Sequence, residues 1–199
     1  MRHSIASQGL PIADPRQIRA LSSPIRQDIL DAVAAIGPCS VAELATALGK
    51  PADGLYYHVR RLLEVRLLTE VREEANGRAD LRLDVAHKSL YLEYRPASRT
   101  NKAAVLRVIG SMLRSAERTF RRGFRPDIAV VEGPRRNLWA GRARGSLSAS
   151  ELAEVNALLD RLITLMRSGR RDRAGARATN RSPYELTFVL APSNRDSRD

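Results

Sequence analysis

Cysteine is almost absent from this chain of 199 residues, and Cys39 is the only one. That excludes an intrachain disulfide and any metal site built from several thiolates. Histidine is nearly as scarce, at His3, His58 and His87. Lysine occurs only at Lys50, Lys88 and Lys102, so 31 of the 34 basic residues are arginine. No apolar run approaches the ~20 residues of a membrane span, and the stretch after Met1 lacks the apolar core of a signal peptide. A cytoplasmic protein without membrane contact is expected. Also missing are a glycine-rich phosphate loop, a Ser/His/Asp grouping and a close carboxylate pair. The expectation is therefore a non-enzyme with no catalytic residue, cofactor or metal.

Acid is under-represented against base, and the excess is uneven. The formal net charge is +12. Through Pro96 there are 13 Lys/Arg against 12 Asp/Glu; from Ala97 onward there are 21 against 10. A basic balance of this size points to nucleic acid. Long-range attraction to phosphates would come chiefly from the second half.

What is present is a readable run from Ser40 to Leu63. Ser40 and Glu43 have the Ser-x-x-Glu spacing of a capping box. Val41, Leu44, Ala45 and Leu48 then recur at helical spacing until Gly49. After Lys50-Pro51, Leu55, Val59, Leu62 and Leu63 share one face of a second helix, expected over about 52–63. Asp53, Tyr56, Tyr57 and Arg60 share the opposite face. Two short helices joined by so brief a turn read as a helix-turn-helix, the second helix offering a polar, aromatic surface to a major groove. Alone, the pair would also suit any helical hairpin. Its flanks argue further: Leu67 to Val71 reads as a strand, Asn76-Gly77 as a tight turn and Leu81-Arg82-Leu83 as the returning strand. Such a hairpin, over about 67–84, is a wing.

With Leu21-Ser22-Ser23-Pro24-Ile25-Arg26 leading into Ile29-Leu30, then Ser40-Val41-Ala42-Glu43-Leu44-Ala45, Leu48-Gly49 and Leu55-Tyr56-Tyr57-His58-Val59, the first half resembles the ArsR-type winged-helix transcriptional regulators. The resemblance implies double-stranded DNA as partner. Pro51 stands where such proteins usually carry a capping serine, and Gly54 where threonine is common. Within this reading Asp53, Tyr56, Tyr57 and Arg60 line the DNA-facing helix, and Arg61, Arg72 and Arg78 meet phosphates or the minor groove.

The remaining chain is expected as follows. Residues 1–13 form a loose arm and 14–96 the winged helix-turn-helix, in which Asp14-Pro15 and Ser23-Pro24 each cap and start a supporting helix. Residues 97–192 form a dimerisation or effector region, and 193–199 a disordered tail. Asn101 to Phe124 should be a long helix whose apolar stripe, including Val105, Ile109, Met112, Ala116 and Phe120, forms a homodimer seam. Its other face, rich in arginine, could meet phosphates or an anionic small-molecule effector. Asn137 to Ala143 reads as a strand. Ser148 and Glu151 form a second capping box opening a helix, and Ser168 to Ser182 reads as a mobile loop. Tyr184 to Leu190 alternates in the strand period. Trp139 suits a core position or the wall of a ligand pocket, and His58 a core or capping position. The fold class is α+β: an N-terminal winged helix-turn-helix, then a mainly helical region with a small β component. Two other functions fit the composition: arginine-driven, sequence-indifferent nucleic-acid binding, or a protein-interaction module on a winged-helix scaffold.

Overall fold

A computed structural model describes residues 10–75, 78–87, 90–167 and 182–193. Asp14 caps helix α1 (Pro15–Leu21), its carboxylate accepting the Arg16 amide at 2.7 Å, with Pro15 pre-set for the first turn. Helix α2 (Pro24–Ile36) also starts on proline. Ser23 was expected to repeat the cap, but its side chain makes no capping hydrogen bond. The Arg26 side chain instead closes this junction, Nε donating to the Ala20 carbonyl at 2.6 Å near the end of α1. Gly37, at φ 81°, ends α2.

The capping box forms as the spacing predicts. The Glu43 amide donates to Ser40 Oγ at 3.2 Å, and the Ser40 amide to Glu43 Oε2 at 2.8 Å. Helix α3 (Val41–Leu48) follows, stopped by Gly49 at φ 60°, a left-handed conformation that glycine adopts without a Cβ clash. Helix α4 (Asp53–Glu64) buries Leu55, Val59 and Leu62. Strands β2 (Leu68–Ala75) and β3 (Arg78–Val85) pair antiparallel from Leu68↔Val85 to Ala75↔Arg78. The expected Asn76-Gly77 turn lies outside the described residues.

One core serves these elements. Ile18 of α1, Ile29 and Val33 of α2, Leu44 of α3, Leu55 and Leu62 of α4, and Leu67 and Leu68 entering β2 are all essentially solvent-free. Two segments differ from the sequence reading. Leu10–Ile12, expected within a loose arm, forms strand β1. It pairs parallel with β4 (Leu90–Leu92), which the sequence reading did not mark as a strand. A three-residue strand shows no usable alternation, and its partner lies at the far end of the first half.

Helix α5 (Arg99–Gly123) opens with Ser98 accepting the Asn101 amide, and it packs on α1 and α2. Its inward face is Val105, Val108, Ser111 and Ser115, all buried. Ser115 Oγ donates to Asp28 Oδ1 at 3.1 Å, and Gln27 Nε2 reaches the Val108 carbonyl at 3.4 Å. Val105 was expected in a homodimer seam; here it belongs to the face closed by the chain's own fold. Ile109, Met112 and Ala116 are half-exposed and Phe120 is exposed.

Ser148 and Glu151 form the second capping box, Ser148 N donating to Glu151 Oε2 at 2.7 Å, and open helix α6 (Ala149–Arg167). No described residue after Ser115 is buried. No strand forms at Asn137–Ala143 or Tyr184–Leu190, where the sequence led one to expect them. The described β structure is thus confined to residues 10–92. Trp139 is not in the core: it is 67% exposed, with the Arg136 guanidinium 3.6 Å above its ring. Most of the loop read at Ser168–Ser182 and the tail from Asn194 fall outside the described residues. No described helix is long and apolar enough to cross a membrane.

Candidate nucleic-acid interface

The site grows from the two-sidedness of α4. Leu55, Val59 and Leu62 are anchored in the core, so the opposite side of a rigid helix must face outward. Tyr56 and Tyr57 are 54% and 63% exposed, unusual for tyrosines on a helix tied so firmly to a core. Asp53 and Arg60 are exposed with them. The expected residues of this helix are therefore brought together on one surface.

Local packing orients that surface. Tyr57 meets the His58 ring edge-on, with centroids 5.3 Å apart. Arg26, from α2, lies close enough to influence both. Burial chiefly, then the Arg26 charge, holds the His58 imidazole below its ordinary pKa, so it is neutral at physiological pH. Half-buried, it is a packing residue of α4. Burial likewise lowers the Arg26 pKa, with no loss of charge at neutral pH.

The start of α4 departs from the preceding helices. Ala52, at φ −61° and ψ −38°, provides no side-chain cap. The Leu55 amide in that turn instead donates to the Ala52 carbonyl at 2.9 Å, so the backbone itself satisfies a group that a serine or threonine would otherwise take. Asp53 in that turn favours the helix dipole but would oppose a phosphate. Gly54 has open space where a Cβ would stand, so no neighbour in the chain requires glycine there.

The remaining expected contacts are dispersed. Arg61 Nη1 bonds Glu64 Oε2 at 2.6 Å one turn along the helix, which reduces what it offers a phosphate. Arg72 is exposed on β2. Arg78 starts β3; its side chain lies outside the described residues. Sequence reading passed over Arg82. Its guanidinium is turned inward to carboxylates, so its basic character gave no local sign of that use.

Residues 21–71 match the family model of a helix-turn-helix domain, a span covering α2, α3, α4 and the first residues of β2. No curated protein matches the chain. The chain is an α+β protein with an N-terminal helix-turn-helix domain, whose usual partner is DNA.

Proposed function

We propose that this protein is a sequence-specific, DNA-binding transcriptional regulator of the ArsR type, acting as a homodimer in the cytoplasm. One observation carries the reading: within a helix-turn-helix, α4 is locked by Leu55, Val59 and Leu62 and presents Tyr56, Tyr57 and Arg60 to solvent. Arg60 can donate twice to a guanine edge, and Asp53 can accept from a cytosine amino group. Arg61, Arg72 and Arg78 then supply phosphate or minor-groove contacts.

The homodimer follows from reach and from α5. One small reading head makes few contacts, and two copies spaced one helical turn apart read a longer site. Ile109, Met112, Ala116 and Phe120 supply part of the seam. Residues 97–192 serve dimerisation, with an anionic small molecule as the effector suited to the arginines of α5.

Selection from a randomised duplex pool at near-physiological salt tests the reading. An enriched, roughly palindromic motif with half-sites about 10 base pairs apart is expected. Retention of duplex without enrichment would favour sequence-indifferent binding, for which the exposed Arg107, Arg114, Arg121 and Arg122 of α5 are the supporting observation. No retention would favour a protein-interaction module.

A further inference from the structure

The hairpin of β2 and β3 is stitched to the start of α3. Cys39 and Leu83 exchange two backbone hydrogen bonds, of 2.9 and 2.8 Å. Beside this bridge stand Ser40 and Arg82. Arg82 Nη1 donates to Glu43 Oε2 at 2.6 Å, the oxygen that already accepts the Ser40 amide at 2.8 Å and hydroxyl at 3.1 Å. Arg82 Nε lies 3.1 Å from Glu73 Oε2 on β2, and Nη2 3.8 Å from Asp80 Oδ2. Only 14% of the Arg82 side chain is exposed. One guanidinium thus joins α3, β2 and β3.

The charges around it explain why it is needed. Between Leu68 and Val85 the hairpin carries Glu70, Glu73, Glu74, Asp80 and Asp84 against Arg72, Arg78 and Arg82. Without Arg82, an acidic hairpin would lean on a helix whose third residue is also a glutamate. Burial raises the Glu43 pKa, but the Ser40 amide and hydroxyl and the Arg82 charge outweigh it, leaving Glu43 anionic at neutral pH. A guanidinium with its fork directed at carboxylates and little exposed surface is poorly placed to take a phosphate as well.

We propose that Arg82 is a positioning residue that sets the angle of the wing against α3 through Glu43, and so the separation of wing and α4 on one duplex, without touching the DNA. This rests on the DNA-binding reading above. The capping-box glutamate would then have two tasks, starting α3 and holding the wing.

Three full-length variants test it: Arg82→Ala, Glu43→Gln, and both together. Glutamine at this position can still close a capping box, so Glu43→Gln mainly removes charge. Amide exchange, measured without DNA, is expected to quicken about fivefold in β2 and β3 for each variant, the effect of a good ion pair, while α4 is unchanged. Unchanged exchange in the hairpin, or equal quickening throughout the domain, overturns the proposal. With a duplex selected by the wild-type protein, both single variants are expected to bind about fivefold more weakly. The double variant should be no weaker than Arg82→Ala, and the salt slope should be unaltered. If Arg82→Ala instead lowers the slope by about one unit and Glu43→Gln tightens binding, Arg82 is a phosphate contact and the proposal is overturned. Should the wild-type protein select no duplex, the functional reading fails, and the exchange measurement still decides the clamp.

Discussion

Leu106 and Leu113 stand seven residues apart on α5 and remain 59% and 49% exposed, while Val105 and Val108 on the same helix are buried. Phe120, a further seven residues on, is 37% exposed. With Ile109 and Ala116 between them, these residues repeat in the heptad pattern of a helix seam. The helix therefore has two apolar faces, one closed by α1 and α2 and the other free for a second copy in the proposed dimer. Leu113→Arg is expected to convert a sedimenting dimer to monomer while changing monomer stability by less than about 0.5 kcal/mol. Val108→Ala should do the reverse, lowering stability by about 2 kcal/mol through lost burial and a residual cavity. A wild-type protein that sediments as a monomer at micromolar concentration would remove the dimer.

Neighbouring arginines of α4 should behave differently in binding. Arg60→Ala is expected to weaken the selected duplex by about 1–3 kcal/mol and to relax preference at one base position. Arg61 already faces Glu64. Its replacement by alanine should weaken all sequences alike and by less. Competition titrations against single-base variants of the site separate the two outcomes, and identical profiles would remove Arg60 from base recognition.

His58 predicts an acid-side loss of stability. Its folded pKa lies below the ordinary 6.5, so the unfolded chain binds the extra proton more readily. Stability from this residue is present above 6.5 and is lost as pH falls from there through the folded value. Melting temperatures measured from pH 7.5 to 5 should decline, and His58→Gln should flatten the decline. An unchanged slope in the variant would mean that other groups cause it.

Arg66 follows α4 with φ 57°, the only non-glycine residue with positive φ among those described. An L-residue with a Cβ bears roughly 1–2 kcal/mol of strain there. Glycine removes that strain but loses about 0.5–1 kcal/mol through a freer unfolded chain. Arg66→Gly is therefore expected to stabilise by up to about 1.5 kcal/mol in urea denaturation. A loss of stability would show that the arginine side chain contributes more than the backbone costs.

Local patterns of sequence determined much of the reading head. Ser40 with Glu43, and Ser148 with Glu151, start helices because each pair closes its hydrogen bonds within one turn. Gly49 stops α3 through its own conformational freedom, and Leu55, Val59 and Leu62 reach one side of α4 by helical geometry alone. None of these needs a distant partner, so all were legible in order along the chain. The tertiary structure decided what depends on residues far apart. Leu10–Ile12 became a strand because Leu90–Leu92 lay beside it, whereas 184–190, despite its alternation, and 137–143 have no ladder partner among the described residues. Val105 was taken from the expected seam because α1 and α2 cover the side of α5 on which it stands. Arg82 became a clamp because Cys39 and Leu83 brought its strand to Glu43. A helix can be read from spacing because its hydrogen bonds are local; a strand, a buried face and an ion pair across elements require the partner that only folding brings near.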